Sequence, residues 1–164
     1  MSMFCYQCEQ TMGGTGCTKL GVCGKSPETA GLQDLLIFSL KGTARYAKAA
    51  RELGAKDPGI DEFVQEALFA TLTNVNFDQT RFVEYVKEAE GVKAKAKELL
   101  VKAGGTPVAD LSPAIPADAN EAEMLAVAAH VGILQDAHPD ADVRALRQLI
   151  TYGLKGICAY AHHA

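Results

Sequence analysis

The sequence has no stretch approaching the roughly 18 consecutive apolar residues of a membrane span. Its N-terminus has no positively charged segment leading into an apolar run, so no secretory signal is expected. There is no basic surplus: the formal net charge is −4, which argues against a nucleic-acid partner. The one basic run, Lys93, Lys95, Lys97 and Lys102, lies among Ala and Glu on a helical pattern and reads as a solvated helix face. Phosphate-cradling glycine loops, a dinucleotide fingerprint, a Ser/His/Asp arrangement and an anchored carboxylate pair are all missing. These absences point to a cytoplasmic protein, where thiols stay reduced. Five cysteines in such a chain argue for metal or catalysis before disulfides.

What is present is one domain's worth of chain, or slightly more, at 164 residues with 48 % apolar and 22 % charged content. Four of the five cysteines fall within the first 23 residues, spaced Cys5-x2-Cys8-x8-Cys17-x5-Cys23. A C-x2-C pair sets two thiolates on one tight turn within reach of a single centre. Two more complete the four ligands of a [4Fe–4S] or [2Fe–2S] cluster. The same segment holds Gly13, Gly14, Gly16, Gly21 and Gly24. These let backbone N–H groups come close to sulfur and donate to it. Phe4, Tyr6 and Val22 are candidates to shield one side from water. Structural zinc also takes four cysteines. Its usual pattern is two short knuckles separated by a longer stretch, so spacing favours iron–sulfur while zinc stays open.

Beyond residue 25 the pattern turns helical, and the fold class expected is all-α. Ser26-Pro27-Glu28 is an N-cap, N1 and first-turn acid. Leu32, Leu35, Leu36, Leu40, Thr43 and Ala47 carry an apolar face toward Leu53, and Gly54 suits the residue after the cap. Asp57-Pro58 opens a second helix with Phe63, Ala67, Leu68, Thr71 and Leu72, ending near Asn74. Asp78 caps a third, which carries Phe82, Tyr85, Val86, Ala89, Leu99 and Leu100 and ends at Gly104-Gly105. The expected layout is a cluster-binding loop over 1–25 and an antiparallel three-helix bundle over 26–103. A linker follows over 104–120, marked by Pro107, Pro113 and Pro116. The start of a second helical repeat occupies 121–164, with a short helix near 121–130, a break at His138-Pro139 and a final helix from Asp140 or Asp142.

That final helix repeats the first. Leu32, Leu35, Leu40-Lys41-Gly42, Tyr46-Ala47 and Ala50 recur 114 residues later as Leu146, Leu149, Leu154-Lys155-Gly156, Tyr160-Ala161 and Ala164. Glycine disfavours helix interiors, so its double appearance suggests a shared packing need and an internal duplication. The second copy stops after one helix, and the expectation is a truncated chain or one completed by another polypeptide. Tyr46 and Tyr160 are expected to pack, Cys158 to be a small buried residue, and His162-His163 to be an exposed end. His130 and His138 are expected to be structural or solvent-facing.

The segments Met3 to Thr11, Gly14 to Cys17 and Gly21 to Lys25 resemble the N-terminus of the hybrid-cluster protein family, also called prismane proteins or hydroxylamine reductases. The resemblance continues through Leu32 to Leu36, Ala67 to Phe77, Val131 to Leu134 and Leu154 to Gly156. It implies an N-terminal domain of two three-helix bundles. It also implies a [4Fe–4S] cluster, because the shorter cysteine gaps go with the cubane and longer ones with [2Fe–2S]. By position, Cys5, Cys8, Cys17 and Cys23 are its ligands.

The reaction implied is the two-electron reduction of hydroxylamine to ammonia and water, with roles in nitric oxide reduction and protein S-nitrosylation also associated. That chemistry belongs to a second, hybrid iron–sulfur–oxygen cluster whose ligands lie in later domains. No residue here is assigned to that cluster, and no catalytic residue is expected. The implied partners are a redox donor protein or the remaining domains of the enzyme. A freestanding electron-transfer or interaction module is the alternative.

Overall fold

The computed structural model describes residues 3–107, 109 and 115–164. Pro113, one of the linker prolines, lies outside the described residues. Among the described residues, five α-helices carry the structure: α1 (Pro27–Glu52), α2 (Pro58–Ala70), α3 (Gln79–Lys102), α4 (Glu121–Ala128) and α5 (Ala141–His163). None is long and apolar enough to cross a membrane. The fold class is all-α, as the periodicity indicates.

Each helix starts where local chemistry places it. The Ser26 hydroxyl accepts from the Thr29 N–H at 3.1 Å, with Pro27 at the first helical position. Asp57 and Asp78 accept from Gly59 and Arg81 at 3.0 and 3.1 Å. Asn120 and Glu123 form a reciprocal capping box at α4, and Asp140 accepts from Asp142 and Val143 at α5. Gly54 and Gly104, at φ +85° and +86°, end α1 and α3 in the left-handed conformation that glycine adopts without strain.

The central element is α1. It buries Leu32, Gln33, Leu35, Leu36 and Ile37 in succession, so its first half is enclosed on most sides rather than along one stripe. Its long partner is α3, which lays Phe82, Val86, Ala89 and Ala96 against it. The small residues allow close approach. The main core joins Leu32, Leu35, Leu36 and Leu40 to Phe63, Phe82, Val86 and Met124, and a smaller one at the far end joins Tyr46, Ala50, Ile60 and Leu100. Each fully buried Leu or Phe contributes about 1.5–3 kcal/mol relative to exposure. Ile115 and Ala119, from the proline-marked 104–120 segment, also belong to the main core.

Three expectations need correction. Lys93 is buried and salt-bridged to Glu90 at 2.8 Å, so the lysine run is not wholly solvated; Lys95, Lys97 and Lys102 are exposed. Tyr160 is exposed although Tyr46 is buried. A side chain added at Gly156 would meet open space, so close packing does not explain that glycine. The last helix packs on α2 and buries only Lys155 and Cys158, as a charged and a small residue facing inward.

Candidate metal centre

The cysteine loop is organised by backbone pairing and by α1. Cys5 and Cys17 exchange both backbone hydrogen bonds, at 3.1 and 2.8 Å, in an isolated antiparallel bridge. Met3, Cys17 and Ala30 form a small apolar cluster that seats this pair on the first turn of α1. Between the paired segments the chain reverses through a tight turn over Met12–Gly14. The Thr11 hydroxyl donates to the Cys5 carbonyl at 3.0 Å and its N–H to the Cys8 carbonyl at 3.2 Å. Gly16 has a steric reason: a Cβ there would sit 2.5 Å from the Phe4 ring.

The sulfur of Cys17 is buried and accepts the Met12 N–H at 3.4 Å, with the Thr11 hydroxyl 3.7 Å away. The N–H groups of Met12 and Val22 hold this thiol below its ordinary pKa and outweigh burial, which acts the other way. A thiolate favoured in this manner is both metal ligand and nucleophile. Cys5 and Cys8 are half-buried and Cys23 is exposed. Cys23 lies in a turn closed by the Gly24 N–H to the Gly21 carbonyl at 2.8 Å, and a Cβ on Gly21 would come within 3.1 Å of its sulfur. All five cysteines are free thiols.

The structure therefore brings Cys5 and Cys17 side by side and keeps Cys8 and Cys23 on the same loop. Among the described residues, no three Cys, His, Asp or Glu side chains gather tightly enough to be a metal-holding group. In kind, the donors fit a thiolate-ligated centre: four free thiols, one of them with its pKa lowered by N–H groups at its sulfur. Of the expected shields, Phe4 is half-buried and packs ring to ring with Tyr6 at 5.6 Å, while Tyr6 and Val22 are both exposed.

A cavity of about 730 Å³ lies beside the loop, lined by Tyr6, Gln7, Asp34, Lys41, Arg147 and Lys155 among others. The turn after α2 ties these parts together. The Thr71 carbonyl accepts from Lys155 Nζ at 3.2 Å, and the Thr73 hydroxyl donates to the Gln7 carbonyl at 3.4 Å. The Asn76 carbonyl accepts from Gln33, whose Oε1 in turn accepts from Lys25 Nζ at 2.6 Å. Asp34 retains some surface toward the cavity, but the protein around it strips most of its hydration and pushes its pKa up to about 6. Burial pushes Lys155 down to about 8.

Sequence reasoning did not single out Lys25, Asp34 or Lys155. The one signal for Lys155 was its place beside Lys41 in the repeated Leu-Lys-Gly frame. The other candidates behave as ordinary structure. Cys158 is buried, and burial pushes its thiol pKa up. His130 is exposed, and His138 is half-buried, with the Asp140 N–H 3.2 Å from its Nδ1. His162 and His163 are exposed and stack with Phe69 at 5.2 and 5.6 Å.

Residues 3–164 match the family model described as the Prismane/CO dehydrogenase family. The chain is 51 % identical over 165 residues to a hydroxylamine reductase of Desulfitobacterium hafniense (strain DSM 10664 / DCB-2), covering all of this chain and 30 % of that protein. It is 49 % identical over 166 residues to the hydroxylamine reductase of Thermoanaerobacter pseudethanolicus, with the same coverage. It is 47 % identical over 172 residues to that of Petrotoga mobilis, covering all of this chain and 31 % of that protein. The chain thus spans about 30 % of the length of these curated relatives. It belongs to the Prismane/CO dehydrogenase family.

Proposed function

We propose that this member of the Prismane/CO dehydrogenase family is the iron–sulfur-bearing part of a hydroxylamine reductase (NH2OH + 2 e− + 2 H+ → NH3 + H2O), with Cys5, Cys8, Cys17 and Cys23 holding a [4Fe–4S] cluster. When bound, such a cluster supplies one-electron transfer, here as a relay toward a hybrid iron–sulfur–oxygen cluster outside this chain. The observation that carries the reading is the Cys5–Cys17 bridge, with the Met12 and Val22 N–H groups stabilising the Cys17 sulfur as thiolate.

The chain's residues divide the work. Cys17 is held on α1 by Met3 and Ala30 and serves as the anchored ligand. Cys8 and Cys23, half-buried and exposed, sit on hydrogen-bonded turns of the same loop and supply the outer ligands. Thr11 fixes the spacing of both ends of the first turn through its two bonds to Cys5 and Cys8. Half-buried Phe4, packed on the Tyr6 ring, covers one side of the loop. The partners are a redox donor protein or the remaining domains of the enzyme, in the cytoplasm, with hydroxylamine or nitric oxide as substrate of the full-length enzyme.

Iron and sulfide analysis of the anaerobically reconstituted chain tests this. About four irons per chain are expected, as a cubane requires. Stoichiometric zinc without iron sinks the reading. Cys17→Ser is expected to lose or convert the cluster, and unchanged iron content in that variant overturns the ligand assignment. Hydroxylamine turnover by this chain alone, with reductant supplied, is expected to be absent; its presence would show that the catalytic centre has been misplaced.

A further inference from the structure

Two lysines are buried beside the cysteine loop without a carboxylate contact. Lys155 is 2 % exposed, and the hydrogen-bond partner found for its Nζ is the neutral Thr71 carbonyl. Lys25 is 3 % exposed, and its Nζ donates to the neutral side chain of Gln33. Among the described residues neither makes an ion pair. A buried ammonium is costly unless opposite charge lies nearby.

Asp34 supplies one such charge and is shared: Lys155, Lys25 and Lys41 all act on it. The surplus positive charge lies beside the cysteine loop. Lys155 lines the same cavity as Tyr6, the residue after Cys5, and Lys25 closes the turn that carries Cys23, its carbonyl accepting the Gly21 N–H at 2.9 Å.

We propose that Lys25 and Lys155 form a buried cationic floor under the cysteine loop that favours the reduced state of a cluster held there. The inference rests on the iron–sulfur reading above. Four thiolates around a cubane leave a net negative charge, and one-electron reduction by an external donor adds one more. A fixed cation in a low-dielectric setting stabilises the more negative state. Lys155 acts through charge and not as a ligand. Its counterpart Lys41 also lines the cavity but is exposed, so water screens it.

The test is a reductive titration of the iron-loaded chain, followed by the electron paramagnetic resonance signal of the reduced cluster. Lys155→Met is expected to lower the equilibrium constant for reduction about tenfold, a shift of about 59 mV to more negative potential for one electron. Lys155→Arg and Lys41→Met are expected to stay within about twofold of the parent. An unshifted Lys155→Met, with parental iron content and helicity, overturns the inference while leaving the cluster assignment standing.

Should Lys155→Met fail to load iron, Lys155→Gln and Lys155→Arg decide. Loading in Arg alone supports a role for charge, and failure in all three assigns Lys155 to packing and overturns it. If Lys155→Gln loads, its potential is read in place of Lys155→Met, with the same expectation. A parent chain that takes up no iron removes the cluster reading and this inference together.

Discussion

Leu35 on α1 is 1 % exposed; Leu149, its counterpart 114 residues on in α5, is 64 % exposed. Tyr46 and Tyr160 differ in the same sense, at 2 % and 83 %. The lysines invert the order: Lys41 is exposed and Lys155 is buried. The two helices share a sequence frame, yet α1 is enclosed by α3 and α4 while α5 rests on α2 through Lys155 and Cys158. A 3.6-residue pattern dictates which side chains share a face. It does not dictate which face is covered.

The largest expected effect lies in that contrast. Leu35→Ala removes a side chain enclosed in the main core and is expected to cost about 2–5 kcal/mol. Leu149→Ala removes one that faces water and is expected to stay within about 0.5 kcal/mol. Urea unfolding of the two variants measures both. A large cost for Leu149→Ala would break the comparison, because it would mean the α5 face is covered in solution.

A second test uses the charges. Asp34 on α1 corresponds to Gln148 on α5, so the repeat keeps two lysines but one carboxyl. Asp34 titrates at about 6 in the fold against an ordinary 3.8. Between those values the folded chain holds a proton that the unfolded chain has lost. Stability from this group is therefore full at low pH, falls as pH rises from about 4 to about 6, and stays lowered above. Asp34→Asn is expected to gain about 1–2 kcal/mol at neutral pH, after discounting for water reaching the cavity, and almost nothing near pH 4. Unfolding midpoints at the two pH values check it; a parental pH slope in the variant would refute the assignment.

Much of the fold was readable in the sequence because helix ends are local. Ser26-Pro27, Asp57-Pro58, Asp78 and Gly54 act through hydrogen bonds and φ angles within a few residues, so their types alone place them. The cysteine loop was readable for a similar reason: four thiols in 19 positions constrain chemistry before any fold is known. What stayed hidden is long-range. Nothing local says that Ile115 and Ala119 leave a proline-marked segment for the core. Nothing local says that the Glu90–Lys93 pair on α3 turns inward to meet Ser39, 51 positions away, or that Lys155 crosses 84 positions to meet Thr71. Buried polar partners such as these depend on tertiary placement, which amphipathic periodicity does not encode.

The smallest effects separate the two helices by how they are held. Ser26 caps α1, which shares the main core with α2, α3 and α4, so its loss should register in the whole cooperative unit. Ser26→Ala is expected to lower global stability by about 1 kcal/mol. Asp140 makes the equivalent bonds to Asp142 and Val143 at 2.8 and 3.4 Å, but on a helix that buries only two side chains. Its loss should open α5 locally before the rest unfolds. Asp140→Ala is therefore expected to speed amide exchange in the first turns of α5 while leaving the global urea midpoint nearly unmoved. Equal shifts of the midpoint in both variants would show that α5 is as firmly integrated as α1, and that its exposed leucines are not a sign of weaker attachment.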